Sequence, residues 1–345
     1  MANRIQTPDL LKGFAVIFMI QVHLMELFAR QEIFDGFAGK ISLFLGGVPA
    51  APVFMVIMGY FLAFGHKEPQ AMMKRGLKLF LAGIVLNIGL NAHLIYKILF
   101  DGWQLNAWHY IFGVDILHLA GLSLIVIGAF NYLFKRNFIP YIAAAIAVVL
   151  ISSFVPVYST ENSFGTYIMA FVHSNSEWSY FPMVPWIAYP LAGYSFKLFE
   201  GKYLGEGLDN SIKVSLTVAL SVLFFFTFDY AKDISHKLDA YYHHGFVFFM
   251  WSLPFVLFWA LILSFIEKAA GGSPVLKYIK WLGVHVTSVY VVQWLIIGNI
   301  ATAIFKTQSP TELVFWFIGI TITTSLIVYF LKRIKPVYNL IFLVF

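Results

Sequence analysis

Cysteine is absent from the 345-residue chain, which removes disulfide scaffolds, thiolate catalysis, cysteine zinc sites and cysteine-ligated iron–sulfur clusters. Charge is scarce as well. Asp, Glu, Lys and Arg make up 12% of the residues, against about 25% in a soluble domain. Apolar residues fill the gap, at 60% of the chain with a mean hydropathy of +0.79. A water-soluble globule could not hide that much apolar surface, and a disordered chain would be far more polar. The apolar stretches run unbroken for about 20 residues without alternation, which also excludes a transmembrane β-barrel. The expected fold is therefore all-α, a polytopic membrane helix bundle forming one domain over residues 1–345.

Hydropathy marks ten spans, at roughly 10–28, 43–64, 77–96, 108–134, 138–156, 181–199, 212–228, 245–266, 281–305 and 313–331. The apolar tail from Val337 to Phe345 is short for a span and reads as interfacial or re-entrant, with eleven spans if it crosses. The net charge of +6 is read as sidedness, not as a nucleic-acid surface. Counted over alternate loops, 17 of the 23 Lys and Arg lie on the side that carries both termini. The positive-inside rule then expects both termini in the cytoplasm. Asp9 precedes the first apolar run, which contains Gln21, His23 and Glu26, so this run reads as a retained span and not a cleaved signal. The compact chain suggests a bacterial inner membrane, and a homo-oligomer is left open.

Ionisable groups at membrane depth are costly, so they carry the functional reading. The first span has His23 and Glu26, the fourth has Asp115 and His118, the third has Asn91, and the ninth has His285 and Gln293. Depth follows from the helix rise: His23 lies about 20 Å from the inner edge and Asp115 about 10 Å below the outer one, which coincide in a core of about 30 Å. His23/Glu26 and Asp115/His118 are i,i+3 pairs, each sharing one helix face. A polar cavity in the outer half of the bundle is the expected result. The competing expectation is interhelical hydrogen bonding alone, which Asn, Gln and His often supply in bundles. A metal site is not expected, since no span contains a His-x-x-x-His spacing and His243–His244 are adjacent.

At the inner face Lys74, Arg75 and Lys78 open the third span, with Lys67 upstream. They suit topology anchoring and anionic lipid, or a phosphate gripped by guanidinium and ammonium groups.

The opening run R-I-Q-T-P-D-L-L-K-G-F-A-V-I-F-M-I-Q-V-H resembles the first helix of the transmembrane acyltransferase superfamily, which joins acyltransferase-3 proteins and relatives of heparan-α-glucosaminide N-acetyltransferase. The matching positions are Arg4, Asp9, Gly13, Ala15 and His23. A-P-V-F-M-V-I-M-G-Y-F-L, M-K-R-G-L-K-L-F, F-G-V-D-I-L-H-L-A-G, Y-F-P-M-V-P-W-I-A-Y-P-L-A-G-Y and L-G-V-H-V-T-S-V-Y-V-V-Q follow in family order. Lys12 stands where the family usually has Arg, and Gln293 where many acyltransferase-3 members have His.

The resemblance implies transfer of an acyl group from cytoplasmic acetyl-CoA to a hydroxyl or amine, often of a sugar, on the far side of the membrane. On that reading His23 is general base or acyl carrier, Asp115 orients it, and His118 and Glu26 complete the catalytic group. Arg4, Lys12, Lys74, Arg75 and Lys78 hold the donor. Asn91, Trp186, Gln293, Asp229, His243 and His244 face the acceptor, together with the aromatic and acidic loops at 157–180 and 229–245. The rival expectation is a proton-coupled transporter of a small polar solute, in which the same His and Asp would relay protons.

Overall fold

The computed structural model describes residues 6–65, 68–157, 164–205 and 209–334. Arg4, Lys67, Glu161 and the 337–345 tail lie outside the described residues. Among the described residues the regular secondary structure is helical, joined by loops that carry two isolated β-bridges.

The chain begins with α1 (Thr7–Leu27), α2 (Gln31–Asp35), α3 (Phe37–Gly47), α4 (Ala51–Phe64), α5 (Pro69–Leu90) and α6 (Ala92–Phe100). It continues through α7 (Ala107–Ile111), α8 (Ile116–Phe134), α9 (Phe138–Phe154), α10 (Phe164–Val172), α11 (Met183–Trp186) and α12 (Ala188–Phe199). The last third holds α13 (Asn210–His236), α14 (Leu238–Tyr242), α15 (Phe246–Ala270), α16 (Pro274–Val284), α17 (Val286–Ile304) and α18 (Pro310–Arg333). Among the described residues seven helices or continuous helix pairs are long and apolar enough to cross a membrane, and eight if the bent pair α5–α6 is one span. This makes the protein a multi-pass integral membrane protein.

Several expected spans are broken where local chemistry demands it. Pro49 and Pro52, after Gly46–Gly47, put a turn into the second, between α3 and α4, because proline lacks the N–H that a regular helix needs, yet residues 37–64 still run on as one span. The third bends by 60° between α5 and α6, with Asn91 at the bend. The fourth separates into α7 and α8, and the ninth into α16 and α17 at His285. The fifth is a 17-residue helix, and the sixth is divided between α11 and α12.

Small residues set the helix contacts. A Cβ on Gly283 would stand 1.8 Å from the Asp9 carbonyl oxygen, and one on Gly13 would stand 2.0 Å from that of Ile279, so α1 and α16 touch backbone to backbone. Gly59 and Gly193 do the same for α4 and α12. Between membrane helices van der Waals contact replaces the hydrophobic drive, and close approach is what produces it. At the periphery α13 exposes Val214, Val218, Val222 and Phe225, and α18 exposes Val314, Ile318, Ile322 and Leu326. Such apolar rows facing outward suit lipid, not water.

Among the described residues, members of the two charge sets lie toward opposite ends of the bundle. Lys280 Nζ reaches Gln6 Oε1 at 2.6 Å and Arg136 Nη1 reaches the Gly65 carbonyl at 2.8 Å at one end. At the other, Arg30 Nε donates to the Thr307 carbonyl at 3.0 Å and Lys306 Nζ to Gln31 Oε1 at 2.6 Å.

Candidate active site

One helix face carries the site from end to end. On α1, Lys12, Met19, His23 and Glu26 recur at intervals of seven, four and three, which places them in one stripe. Lys12 and His23 are eleven residues apart, about 17 Å along the axis. Around that stripe α4, α5, α8 and α17 leave two cavities. The one toward the Lys12 end of α1, termed the inner cavity for that end, is of about 360 Å³, has Lys12 and Arg75 on its wall and is otherwise mainly apolar. The outer one, of about 520 Å³, takes its polar lining from His23, Glu26, Asn91, His109, Asp115 and Tyr180, among others. Met19, Ile116 and Tyr290 line both.

His23 Nδ1 faces the amide of Gln293, with Oε1 and Nε2 each at 3.3 Å. Its ring lies 3.9 Å from that of Trp294, centroid to centroid. If Gln293 accepts the Nδ1 proton, Nε2 is left bare and basic. The expected direct pairing of His23 with Asp115 is not made. Both line the outer cavity, but Asp115 is the N-cap of α8, its Oδ1 accepting from Ile116 N at 2.6 Å while its Oδ2 accepts from the Tyr290 hydroxyl. Asp115 does not lie inside a continuous helix, as hydropathy alone implies, but at a helix break where the free N–H groups hold it.

His118 lines neither cavity. Its Nδ1 accepts from Asp115 N at 3.2 Å, completing a capping box, and Phe80 and Phe171 enclose the ring. Gly83 supplies the room, since a Cβ there would stand 2.7 Å from His118 Nε2. The i,i+3 spacing of Asp115 and His118 is therefore the spacing of a cap.

Of the expected donor-binding cations, Lys12 and Arg75 line the inner cavity, with Lys12 Nζ 3.0 Å from Asp9. Lys74 and Lys78 are exposed outside its lining. Of the acceptor candidates, Asn91 lines the outer cavity and donates to the Asn87 carbonyl at 3.0 Å, while Gln293 lies outside its lining and is hydrogen-bonded to His23. Trp186 is fully buried and donates from Nε1 to the Tyr242 carbonyl at 2.7 Å. His244 is buried between the Tyr189 hydroxyl and the Tyr241 carbonyl. His243 pairs with Asp239, and Asp229 with Lys232 at the surface. None of these last four residues lines the outer cavity. The expected 229–245 loop is mostly helical, as the end of α13 and α14, and it reaches the cavity through Ser235, Leu238, Tyr241 and Tyr242 instead.

Tyr290, which lines both cavities, is not among the candidates that the sequence singles out. It precedes Gln293 by three positions on α17, so the same i,i+3 rule would have put it on the Gln293 face. Tyr180, on the loop ahead of α11, is likewise part of the outer wall. Tyr180 is 45% exposed; local desolvation of its hydroxyl and the nearby Glu26 push that hydroxyl up from its ordinary value, and a phenol keeps its proton at neutral pH. That loop is fixed by Val114 N donating to the Trp178 carbonyl at 2.7 Å and Phe181 N to the Val114 carbonyl at 3.0 Å.

A comparison with curated proteins finds no match. The family model described as heparan-alpha-glucosaminide N-acetyltransferase, catalytic, matches residues 4–215. The match takes in Lys12, His23, Arg75 and Asp115, and α17 with Tyr290 and Gln293 lies beyond it. An acetyltransferase family does not favour the transporter reading. Matched over more than half its length, this chain belongs to the heparan-α-glucosaminide N-acetyltransferase catalytic-domain family.

Proposed function

We propose that the protein transfers an acetyl group from cytoplasmic acetyl-CoA to a hydroxyl or amine of a carbohydrate acceptor on the far side of the membrane. The observation that carries this reading is a pair of neighbouring cavities that share Met19, Ile116 and Tyr290 in their walls. The inner one offers cations to phosphate and an apolar passage to a thioester arm, and the outer one offers a His, two carboxyl groups and aromatic walls. On this reading the end bearing Lys12 and Arg75 is cytoplasmic, as are both termini. The fifth and sixth expected spans complete a set of ten, and the membrane is a bacterial inner membrane.

The chemistry needs one proton moved and one bond exchanged. His23 Nε2 takes the proton of the acceptor hydroxyl or amine as its oxygen or nitrogen attacks the thioester carbonyl. The carbon–sulfur bond then breaks and the CoA sulfur leaves with the electron pair. A second route has His23 accept the acetyl group first and pass it on, with the same overall balance. Tyr290, in both walls, and Asp115, in the outer one, provide a hydroxyl and a carboxyl group beside the path of the thioester. Tyr180, Tyr241 and Tyr242 present faces and hydroxyls to a sugar.

The test is acetyl transfer from labelled acetyl-CoA by protein in liposomes. His23→Ala should abolish transfer while acetyl-CoA binding and thermal stability stay close to those of the unaltered protein. Transfer at a near-native rate would remove His23 from the chemistry and this reading with it.

A further inference from the structure

A second groove opens at the end of the bundle that bears Lys12 and Arg75, and neither the family motifs nor the proposed chemistry uses it. It encloses about 720 Å³ between the C-terminal end of α4, the α8–α9 turn and the end of α12, and Lys135, Arg136, Lys197 and Lys202 all line it. Four cations around one concavity repel one another unless an anion joins them. One carboxylate nearby offsets part of this charge: Glu200 accepts from Lys197 Nζ at 2.7 Å and from the Tyr60 hydroxyl at 2.7 Å.

The backbone brings these cations together at a cost. Lys135 and Arg136 are successive residues with φ of 46° and 60°, a left-handed conformation that L side chains rarely adopt. Arg136 is fixed there by donating to the Gly65 and Ala63 carbonyls, with its guanidinium 5.9 Å from the Tyr194 ring centroid. Lys197 lies over the Phe64 ring at 4.0 Å and Lys202 over the Tyr203 ring at 4.9 Å. The lining thus pairs cations with apolar and aromatic surface, a combination suited to a phosphate attached to an uncharged body. The end of α4 is also the partition between this groove and the inner cavity. Phe61, Leu62 and Gly65 line the cavity, and Ala63 and Phe64 line the groove.

We propose that this groove binds phosphate groups at the inner membrane face, with Lys135, Arg136 and Lys202 as the cationic contacts. Two sources present that chemistry there: the nucleotide end of CoA, which would reach the inner cavity around α4, and the headgroup of an anionic phospholipid. The first source rests on the proposed acetyl-CoA activity and the second does not.

The experiment compares the unaltered protein with a Lys135→Gln/Lys202→Gln double variant. CoA affinity is measured by calorimetry in nanodiscs of phosphatidylcholine alone, and retention of phosphatidylglycerol is measured by native mass spectrometry. A drop in CoA affinity of about tenfold or more assigns the groove to the nucleotide. Unchanged CoA affinity with loss of bound phosphatidylglycerol assigns it to the lipid. A Lys135→Arg/Lys202→Arg variant, which keeps both charges at the surface, should retain the binding that the Gln pair loses. If the Gln pair matches the unaltered protein in both measurements, or if the Arg pair loses binding equally, the groove is not a phosphate site. His23→Ala should leave both readouts unchanged, so failure of this site and failure of the proposed transfer chemistry are told apart.

Discussion

The hydroxyl of Tyr290, a residue in the wall of both the inner and the outer cavity, donates to Oδ2 of Asp115 in the wall of the outer one. The pair joins α17 to the N-terminus of α8, whose first free N–H is taken by the other oxygen of the same carboxyl group. Asp115 is thus a helix cap and a wall of the candidate active site at once, and the two roles can be separated by substitution.

Tyr290→Phe removes the hydroxyl and keeps the ring. The cap on α8 survives, but Oδ2 of Asp115 loses its donor, so stability should fall by about 1–3 kcal/mol. Turnover should fall by about tenfold or more, in line with the loss of a hydrogen bond to a carboxyl group. Asp115→Ala removes the cap as well, at about 1 kcal/mol of stability, and Asp115→Asn retains a capping oxygen. Unchanged turnover of acetyl-CoA in Tyr290→Phe would leave the pair a structural clasp only.

Arg75 and Lys74 are neighbours in sequence but differ in place, since Arg75 lines the inner cavity and Lys74 does not. Arg75→Ala should weaken acetyl-CoA binding by about 1.5–3 kcal/mol, the loss of one charged contact. Lys74→Ala should stay within about 0.5 kcal/mol of the unaltered protein, as surface substitutions usually do. Calorimetry on both variants checks the contrast, and equal effects would refute the division of labour drawn between them.

Gly283→Val probes the backbone contact of α16 with α1, where even a Cβ would stand 1.8 Å from the Asp9 carbonyl oxygen. The helices must separate, and the α1 stripe of Lys12, Met19, His23 and Glu26 must move with them. The expected result is a lower unfolding temperature in detergent, with destabilisation of about 1–3 kcal/mol from overpacking. A valine variant as stable as the parent would show that this crossing is not close-packed.

Much of the molecule follows from one-dimensional information. The absence of cysteine, the scarcity of charge and the apolar runs determine a helical membrane bundle, because lipid admits backbone only when its hydrogen bonds are satisfied within the segment. The segregation of Lys and Arg sorts the loops to two ends. The 3.6-residue period puts Lys12, His23 and Glu26 on one face of α1, and the order of motifs leads to the family. These are local or additive properties, so the sequence carries them directly.

Partner choice is neither local nor additive. Gln293, not Asp115, faces His23 across 270 positions of chain, and Tyr290 meets Asp115 across 175. Hydropathy reads Asp115 and His118 as membrane-depth charges, while the break before α8 makes them a capping box. His243 and Asp229 turn to partners on their own helical segments, and Trp186 and His244 are enclosed by packing. Which polar side chain opens into a cavity and which closes a helix end depends on where helices distant in sequence cross. Those crossings depend on the glycine contacts that let α1 meet α16 and α4 meet α12. Residue type and spacing determine what each side chain can do, and only the packed bundle decides which of them face the same cavity.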